Sequence, residues 1–194
     1  MAQQLISMEG ISKRYPGVLA LDNAHFELKS GEVHALVGEN GAGKSTLVKI
    51  LCGIATKDSG KILLDGKEIH LHGPRSAQDL GISIIHQELN LMPDLTIAQN
   101  IYIGREPRKF KFILNDGGLV KETEKLFAQI HLDLDPNRKV EGLSVAQQQM
   151  VEIVKALSFN SKVLIMDEPT SGVDVRTRHE VLHLLADLHA DGLT

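Results

Sequence analysis

Along the first third of the chain, apolar residues recur at the short spacing of β-strands and are separated by turn residues. Residues 5–15 and 23–38 predict strands of this kind. Residues 61–71 predict a hairpin, because the dipeptide Asp65-Gly66 suits a tight turn with positive φ. Strand pairs joined in this way predict antiparallel sheet.

The rest of the sequence alternates apolar runs with helical periodicity. Predicted strands lie at 33–38, after a turn at Gly31, at 81–87 and at 162–168. Predicted helices cover 44–52, a stretch after Thr96, 119–130, 145–157 and 175–190. Apolar runs flanked by helices are typical of a parallel sheet covered on both faces, so the fold class is α/β.

The segment 91–159 interrupts this alternation with helices and a polar loop. It predicts a helical subdomain inserted into a core that is formed by residues 1–90 and 160–194. The length of 194 residues, with 42% hydrophobic residues, suits one well-buried core.

Charge, cysteine content and the length of apolar runs bear on the possible partners and on the compartment of the protein. The net charge of −4 gives no long-range attraction to nucleic acid. The one cysteine, Cys52, lies on a predicted apolar helix, which indicates a small buried hydrophobe in a reducing compartment. No apolar run approaches the length of about 18 residues that spans a bilayer.

A glycine-rich loop lies between an apolar strand and a predicted helix. Its residues are Gly38, Glu39, Asn40, Gly41, Ala42, Gly43, Lys44, Ser45 and Thr46. Glycines let backbone N–H groups curl around phosphate oxygens, and the helix N-terminus adds partial positive charge. In such a loop Lys44 reaches the β- and γ-phosphates and Ser45 coordinates Mg²⁺. A glycine-rich turn without a ligand is the alternative.

A second apolar run, 163–166, ends in two carboxylates, Asp167 and Glu168. Open α/β sheets bind ligands at the carboxyl edge of their strands. Asp167 can hold Mg²⁺ through water, and Glu168 can polarise an attacking water. A core strand that ends in a charged loop would look similar.

Four stretches together resemble a known family. "GENGAGKST", "IIHQELNL", "LSVAQQQM" and "VLIMDEPTSGVD" occur in the order and approximate spacing of the ATP-binding cassette ATPases of ABC transporters. The resemblance implies a P-loop NTPase fold with a RecA-like parallel sheet, an N-terminal antiparallel β subdomain and a helical insert, all within one ATP-binding domain over residues 1–194. It also implies ATP and Mg²⁺ as cofactors. Residues 81–107 are most similar to the ATP subunits of bacterial importers for simple sugars of the ribose and galactose type.

The resemblance implies roles for further residues. Tyr15 would stack on adenine, although a structural tyrosine in a strand pair explains it too. Gln87 would sense Mg²⁺ and the attacking water and relay the nucleotide state to a membrane partner. Asp174 would cross to an opposite cassette, although an acidic residue that opens a helix is also favourable by itself.

The signature loop of this family departs from its usual form here. Ser144 is present, but Val145 and Ala146 replace two glycines whose N–H groups, with the serine, would bind the γ-phosphate of ATP held by a second cassette. We infer that this loop faces the weaker of two composite sites. Alternatively, Ser144 and Gln147 form only a capping box that starts a helix.

The end of the chain also departs from the family pattern. A further strand with a phosphate-contacting histidine is not found before Thr194, and neither is a second cassette, so we expect a truncated or internally deleted domain with an exposed sheet edge and lower stability. His179, His183 and His189 are expected on a solvated or half-buried helix face. The basic loop 105–111 could contact lipid headgroups or a permease, or be a solvated loop.

The resemblance implies a subunit that hydrolyses ATP to drive import of a simple sugar. Its expected partners are membrane permease subunits, through them a periplasmic sugar-binding protein, and a second cassette or a homodimer partner. With no nucleic-acid partner and no transmembrane segment of its own, it would be peripheral, on the cytoplasmic side of the bacterial inner membrane. Two alternatives stay open: a fragment that binds ATP without hydrolysis, and a soluble ABC ATPase of DNA repair or translation, which the acidic charge disfavours.

Overall fold

The computed structural model describes residues 3–85, 89–109, 113–114, 116–167, 175–190 and 194. The chain forms two compact units. The first comprises Met1–Ser83, Ser161–Ile165 and Asp191–Thr194, and the second comprises Ile84–Asn160 and Met166–Ala190. The predicted division at residues 90 and 160 stays a prediction.

Most of the predicted helices and strands are present in the predicted order. The elements are β1 Gln4–Tyr15, β2 Val18–Lys29, α1 Lys44–Leu51, β3 Ser59–Leu64, β4 Lys67–Ile69, α2 Pro74–Asp79, β5 Ile82–Ile85, α3 Ile97–Tyr102, β6 Arg108–Lys109, β7 Ile113–Leu114, α4 Asp116–Gln129, a 3₁₀ turn Val140–Gly142, α5 Val145–Leu157, β8 Val163–Met166 and α6 Val175–Ala190. The two last helices have the predicted bounds. Helix α2 and the short hairpin β6–β7 were not predicted, because both are too short for a periodic signal.

The first unit contains a four-stranded antiparallel sheet in the order β2-β1-β3-β4. The predicted hairpin is confirmed, since Asp65 and Gly66 have φ of 50° and 74° and join β3 to β4. Helix α1 packs into the same core through Leu47, Ile50 and Leu51, whose spacing of three and four residues gives one helix face. The core residues from the sheet are Leu5, Ile6, Met8, Ile11, Leu21, Leu28, Ile62 and Leu64.

Cys52 follows α1 and is buried with 2% of its surface exposed, as predicted. Burial raises the pKa of the thiol to about 12. The side chain is therefore an uncharged hydrophobe at neutral pH.

Strands β5 and β8 form a two-stranded sheet. The backbone N–H groups of Lys162 and Val163 donate to the carbonyl of Gly81, and that of Asp167 donates to Ile85. From Gly81 to Ile85 the chain advances four residues along β5, and from Lys162 or Val163 to Asp167 it advances five or four residues along β8. Both strands therefore run in the same direction. This is the pattern of parallel strands, as the sequence predicts for this part of the chain.

The predicted buried strand at residues 33–38 is wrong. These residues form no strand, and Val33 and Val37 are 77% and 88% exposed. A strand buried in a parallel sheet requires hydrogen-bonded neighbours. No sheet within the described part of the chain includes this segment. The apolar run by itself predicts a strand but not whether a neighbouring strand is present to pair with it.

The second unit is built around helices α3, α4 and α5. Their core consists of Ile97, Ile101, Phe127, Val140, Leu143, Val151 and Val154. Thr96 begins α3 as predicted, because its hydroxyl accepts from the amide of Gln99 at 3.2 Å. Buried Asn100 accepts from the amide of Met92 at 2.7 Å and donates to the Met92 carbonyl at 3.0 Å, which fixes the preceding loop.

Helix α6 separates a buried face from a solvated one. Val181, Leu184 and Leu188 are buried, whereas His179 and His183 are exposed and His189 is half-buried. This confirms the solvated or half-buried face predicted for the three histidines. None of the helices in the described ranges is long and apolar enough to cross a membrane.

Arg105, the first residue of the basic loop, is half-buried and makes several contacts within the second unit, and the two alternatives for the loop as a whole stay predictions. Its guanidinium donates to the Ser158 carbonyl at 3.1 Å, the Ser158 hydroxyl at 2.7 Å and the Ile101 carbonyl at 2.9 Å. The guanidinium carbon also lies 3.5 Å from the ring centroid of Phe159. The side chain joins the end of α3 to the end of α5, a long-range contact that no local pattern near Arg105 predicts.

We expect Arg105→Ala to lower the free energy of unfolding by about 2 to 3 kcal/mol, because charged hydrogen bonds and a stacked cation are lost together. Urea unfolding followed by circular dichroism measures the change. Arg75→Ala, at an exposed arginine of α2, is the control and should change stability by less than about 0.5 kcal/mol. Equal effects of the two substitutions would contradict a structural role of Arg105.

Candidate functional site: the loop before helix α1

The glycine-rich loop leads directly into α1. Gly41 and Gly43 have φ of 87° and 86°, in the left-handed region that favours glycine, and Gly43 is the N-cap of the helix. No acidic residue lies in the first turn of α1. The N–H groups of this turn and the helix dipole therefore leave partial positive charge at the loop.

Strand β2 holds the loop in place through Gly43. A Cβ atom at this position would lie 2.6 Å from the carbonyl oxygen of Ala20 and 2.7 Å from Cδ2 of Leu21. Both distances are too short for a real carbon atom. Only glycine fits, because the backbone conformation and the contact with β2 both exclude a side chain.

Lys44 folds back over the loop. Its ammonium group donates to the carbonyl of Gly38 at 2.5 Å and to that of Glu39 at 2.8 Å. The amide of Ala42 donates to the Glu39 carbonyl at 3.2 Å and closes the turn. The positive charge thus lies at the mouth of the loop, next to the backbone groups that would surround an anion.

The other loop residues are accessible. Glu39, Asn40, Ala42 and Ser45 are exposed, and Thr46 is half-buried in the first turn of α1. The Ser45 hydroxyl is a hard oxygen ligand, and Mg²⁺ prefers ligands of this kind. Ser45 is therefore chemically suited to bind Mg²⁺.

Tyr15 ends β1 and is paired with Val18 across the β1–β2 turn. Its side chain is 38% exposed, and the Lys13 ammonium lies 5.5 Å from its ring centroid. Lys13 also pairs with Asp58 at 2.8 Å. The Lys13 ammonium and then the Arg14 amide hold the pKa of Asp58 below its ordinary value. The tyrosine is thus a member of a strand pair, with a side chain that is partly exposed.

Tyr15 and the loop belong to the same unit and are linked by β2. Val18 is paired with Tyr15, and Leu21 lies against the Gly43 backbone. These two positions of β2 are about 10 Å apart, at the rise of an extended strand. The sequence reasoning missed Ala20, Leu21 and Lys13 in this arrangement, because no motif marks the residues that support a loop from another element.

Ser144 begins α5 with a capping box, which is the alternative to a phosphate-binding role for this residue. Its hydroxyl accepts from the Gln147 amide at 3.3 Å, and Oε1 of Gln147 accepts from the Ser144 amide at 3.1 Å. Val145 follows with 55% of its surface exposed. Two amides of this helix start are therefore already satisfied, and an apolar side chain stands beside them.

Asp167 directly follows β8 and is exposed, with its amide bonded to the Ile85 carbonyl at 3.1 Å. Asp167 and Ser144 both lie in the second unit. Gln87, Glu168 and Asp174 lie outside the described residues. In the part of the chain that is described, no group of three or more His, Cys, Asp or Glu could hold a metal ion.

Comparison with protein families gives one match that decides the assignment. The family model described as "ABC transporter" matches residues 21–171, which include the loop before α1, the start of α5 and the end of β8. The chain belongs to the ABC transporter family.

Relatives within the ABC transporter family cover almost all of the chain. It is 55% identical to a putative ribose/galactose/methyl galactoside import ATP-binding protein 1 of Burkholderia lata over 99% of its length. It is 53% identical to a protein of the same description, numbered 2, from Rhizobium etli, again over 99%. The chain spans 38% and 37% of the lengths of these two relatives.

Solved structures of ABC cassettes confirm the fold class. The ADP conformation of MJ1267, an ATP-binding cassette of an ABC transporter, superposes with a TM-score of 0.86 at 28% identity, covering 98% of this chain and 79% of that one. The dimeric structure of MJ0796, a bacterial ABC transporter cassette, gives a TM-score of 0.77 at 26% identity, with 98% and 85% covered. The P-loop NTPase fold expected from the motifs is therefore confirmed.

Proposed function

We propose that this member of the ABC transporter family binds Mg·ATP at the loop before α1 and hydrolyses it to drive import of a simple sugar. The observation that carries this proposal is the loop itself. Two left-handed glycines, a helix start without a side-chain cap and a lysine ammonium lie within this one loop. The names of the relatives, which refer to ribose, galactose and methyl galactoside import, support the sugar class.

Binding of the triphosphate would give the Lys44 ammonium charged partners. Lys44 now donates to two neutral carbonyls, those of Gly38 and Glu39. An ionised phosphate attracts an ammonium group more strongly than a neutral carbonyl does, because both partners then carry a full charge. The N–H groups at the start of α1 would take the remaining phosphate oxygens. The lysine would thus turn from the loop carbonyls to the β- and γ-phosphates.

The remaining site roles are proposals that rest on the motifs. Ser45 would hold Mg²⁺, and Asp167 would support the metal through water. The metal would neutralise developing charge on the phosphates. Glu168 would polarise the attacking water, and Gln87 would report the nucleotide state.

The adenine would stack on Tyr15, whose partly exposed side chain is paired with Val18, at the other end of the segment of β2 that supports the loop. Asp174 would contact a second cassette. We propose that this cassette, in the same or another polypeptide, contributes its own signature loop to ATP held here.

The start of α5 would face the weaker of two composite sites. The capping box of Ser144 and Gln147 occupies two amides, and Val145 places an exposed apolar side chain where a glycine would leave bare backbone. An anion at this helix start would meet fewer free donors.

We propose membrane permease subunits as partners and, through them, a periplasmic sugar-binding protein. The proposed location is the cytoplasmic side of the bacterial inner membrane. The supporting observation is the description of the relatives as import ATP-binding proteins.

Lys44→Ala tests the site, with Lys49→Ala on the same helix as the control. We expect Lys44→Ala to weaken Mg·ATP binding by about 10- to 100-fold in calorimetry, because a charge-assisted contact is worth about 1.5 to 3 kcal/mol. Lys49 lies in the last turn of α1, so its loss should leave affinity within about 2-fold. If wild-type protein that is folded by circular dichroism failed to bind Mg·ATP, the proposed function would be refuted.

A second candidate function, binding of ATP without hydrolysis, is favoured by the occupied helix start at Ser144. Steady-state phosphate release separates the two functions. Release that is stimulated by permease subunits supports the importer, whereas tight binding of Mg·ATP with no release, alone or with permease, supports a nucleotide-binding fragment.

A further inference from the structure

Two histidines converge on the solvated face of α6. His179 and His183 are four residues apart on this helix, and both side chains are exposed. Their Nε2 atoms lie 2.9 Å apart, with ring centroids 4.3 Å apart and planes at 88°. Residues four apart lie on the same helix face, one turn above the other, so the backbone itself holds the pair together.

The two nitrogens can share one proton, but they can also share one cation. In a hydrogen bond between neutral imidazoles, one Nε2 donates and the other accepts. Rotation about χ2, which is a broad torsion for histidine, aims both lone pairs at a common point. We propose that His179 and His183 chelate a divalent transition-metal ion of the Cu²⁺, Ni²⁺ and Zn²⁺ class.

The ligand type favours some ions over others. Imidazole nitrogen suits Cu²⁺, Ni²⁺ and Zn²⁺, and at a given nitrogen site affinity rises from Ni²⁺ to Cu²⁺ and falls again at Zn²⁺. The 2.9 Å between the Nε2 atoms is a hydrogen-bond distance, and it shows that both rings reach the same point on the helix face. Two nitrogens bound to one ion at about 2.0 to 2.1 Å lie about 2.9 to 3.3 Å apart, so chelation requires the rings to turn but not to separate widely. The expected order of affinity places Cu²⁺ first.

The protein supplies two ligands to this ion. Asp187 lies one turn beyond His183 and is exposed, yet no group of three or more ligating side chains forms among the residues with a described placement. Water would fill the other positions. Because the chelate joins two turns of α6, an ion that binds only this folded arrangement would stabilise the helix by mass action.

The test uses the untagged 194-residue chain, because a histidine tag would bind the same ions. Isothermal titration with CuCl₂, NiCl₂ and ZnCl₂ in a non-chelating buffer should show one site, tightest for Cu²⁺. His179→Gln and His183→Gln should each weaken Cu²⁺ binding at this site by at least about 10-fold, because loss of one nitrogen removes the intramolecular second contact. The double variant His70→Gln/His72→Gln, at two exposed histidines that follow β4, is the matched control and should bind as the wild type does.

A second measurement does not depend on variants. In NMR spectra of wild-type protein with isotope-labelled histidine, substoichiometric Cu²⁺ should broaden the ring signals of His179 and His183 before those of other histidines. Unchanged affinity in both single variants, or loss of the site in the His70/His72 control, would overturn the proposal. So would preferential broadening of other histidines.

Discussion

Replacing Glu168 by glutamine is expected to slow ATP hydrolysis by about 100-fold or more while leaving Mg·ATP binding unchanged. Glutamine has the same shape as glutamate but cannot accept a proton from the attacking water. The residue follows Asp167, whose amide is bonded to Ile85 at the end of the parallel pair β5–β8. It therefore comes directly after a carboxyl end of parallel strands, where α/β sheets place ligand-binding groups.

Two measurements on each protein separate chemistry from binding. Phosphate release at saturating Mg·ATP reports the chemical step, and calorimetry reports affinity. Glu124→Gln, at an exposed glutamate of α4, is the control for the loss of one carboxylate and should hydrolyse ATP at the wild-type rate. If Glu168→Gln and the wild type hydrolysed ATP at the same rate, Glu168 would not be the residue that polarises the attacking water.

Gly43→Ala is expected to lower the free energy of unfolding by about 3 to 5 kcal/mol and to abolish measurable nucleotide binding. An alanine at this position would have to keep the backbone φ of 86°. Its Cβ atom would lie 2.6 Å from the Ala20 carbonyl oxygen. Relief of this contact requires the loop to move away from β2, which would displace the start of α1. Chemical unfolding measures the first effect, and calorimetry with Mg·ATP measures the second.

Gly41→Ala separates backbone strain from steric contact. Gly41 has φ of 87°, but a Cβ there would meet nothing within 4 Å. Its substitution should therefore cost only the strain of a left-handed residue, about 1 to 2 kcal/mol. Gly117→Ala in α4, which also has open space, should cost nothing. A loss in Gly43→Ala no larger than in Gly41→Ala would show that contact with β2 does not fix the loop.

The glycine-rich loop before α1 could be predicted from the sequence because its conformation is local. Glycines at fixed positions, followed by Lys44 and Ser45, specify a backbone that bends around an anion and then enters a helix. The structure has both features at these residues, with α1 beginning at Lys44. The capping box of Ser144 could be predicted for the same reason, since both partners lie within one turn.

Contacts between distant segments could not be predicted in this way. Nothing in the sequence near Arg105 indicates Ser158 or Phe159 as its partners, which lie more than 50 positions away. The same holds for Leu21 and Gly43, which meet because β2 runs beside the loop. Each of these contacts requires the complete path of the chain.

The sequence by itself determined the family, most of the helices and strands and the conformation of the glycine-rich loop before α1, because these depend on periodicity and on motifs within a few residues. Only the tertiary structure decided that residues 33–38 stay outside any described strand, that Arg105 is bound between α3 and α5, and that His179 and His183 meet at 2.9 Å. The physical reason is that backbone partners and side-chain contacts come from neighbours in space. An apolar run becomes a buried strand only where another strand satisfies its N–H and C=O groups.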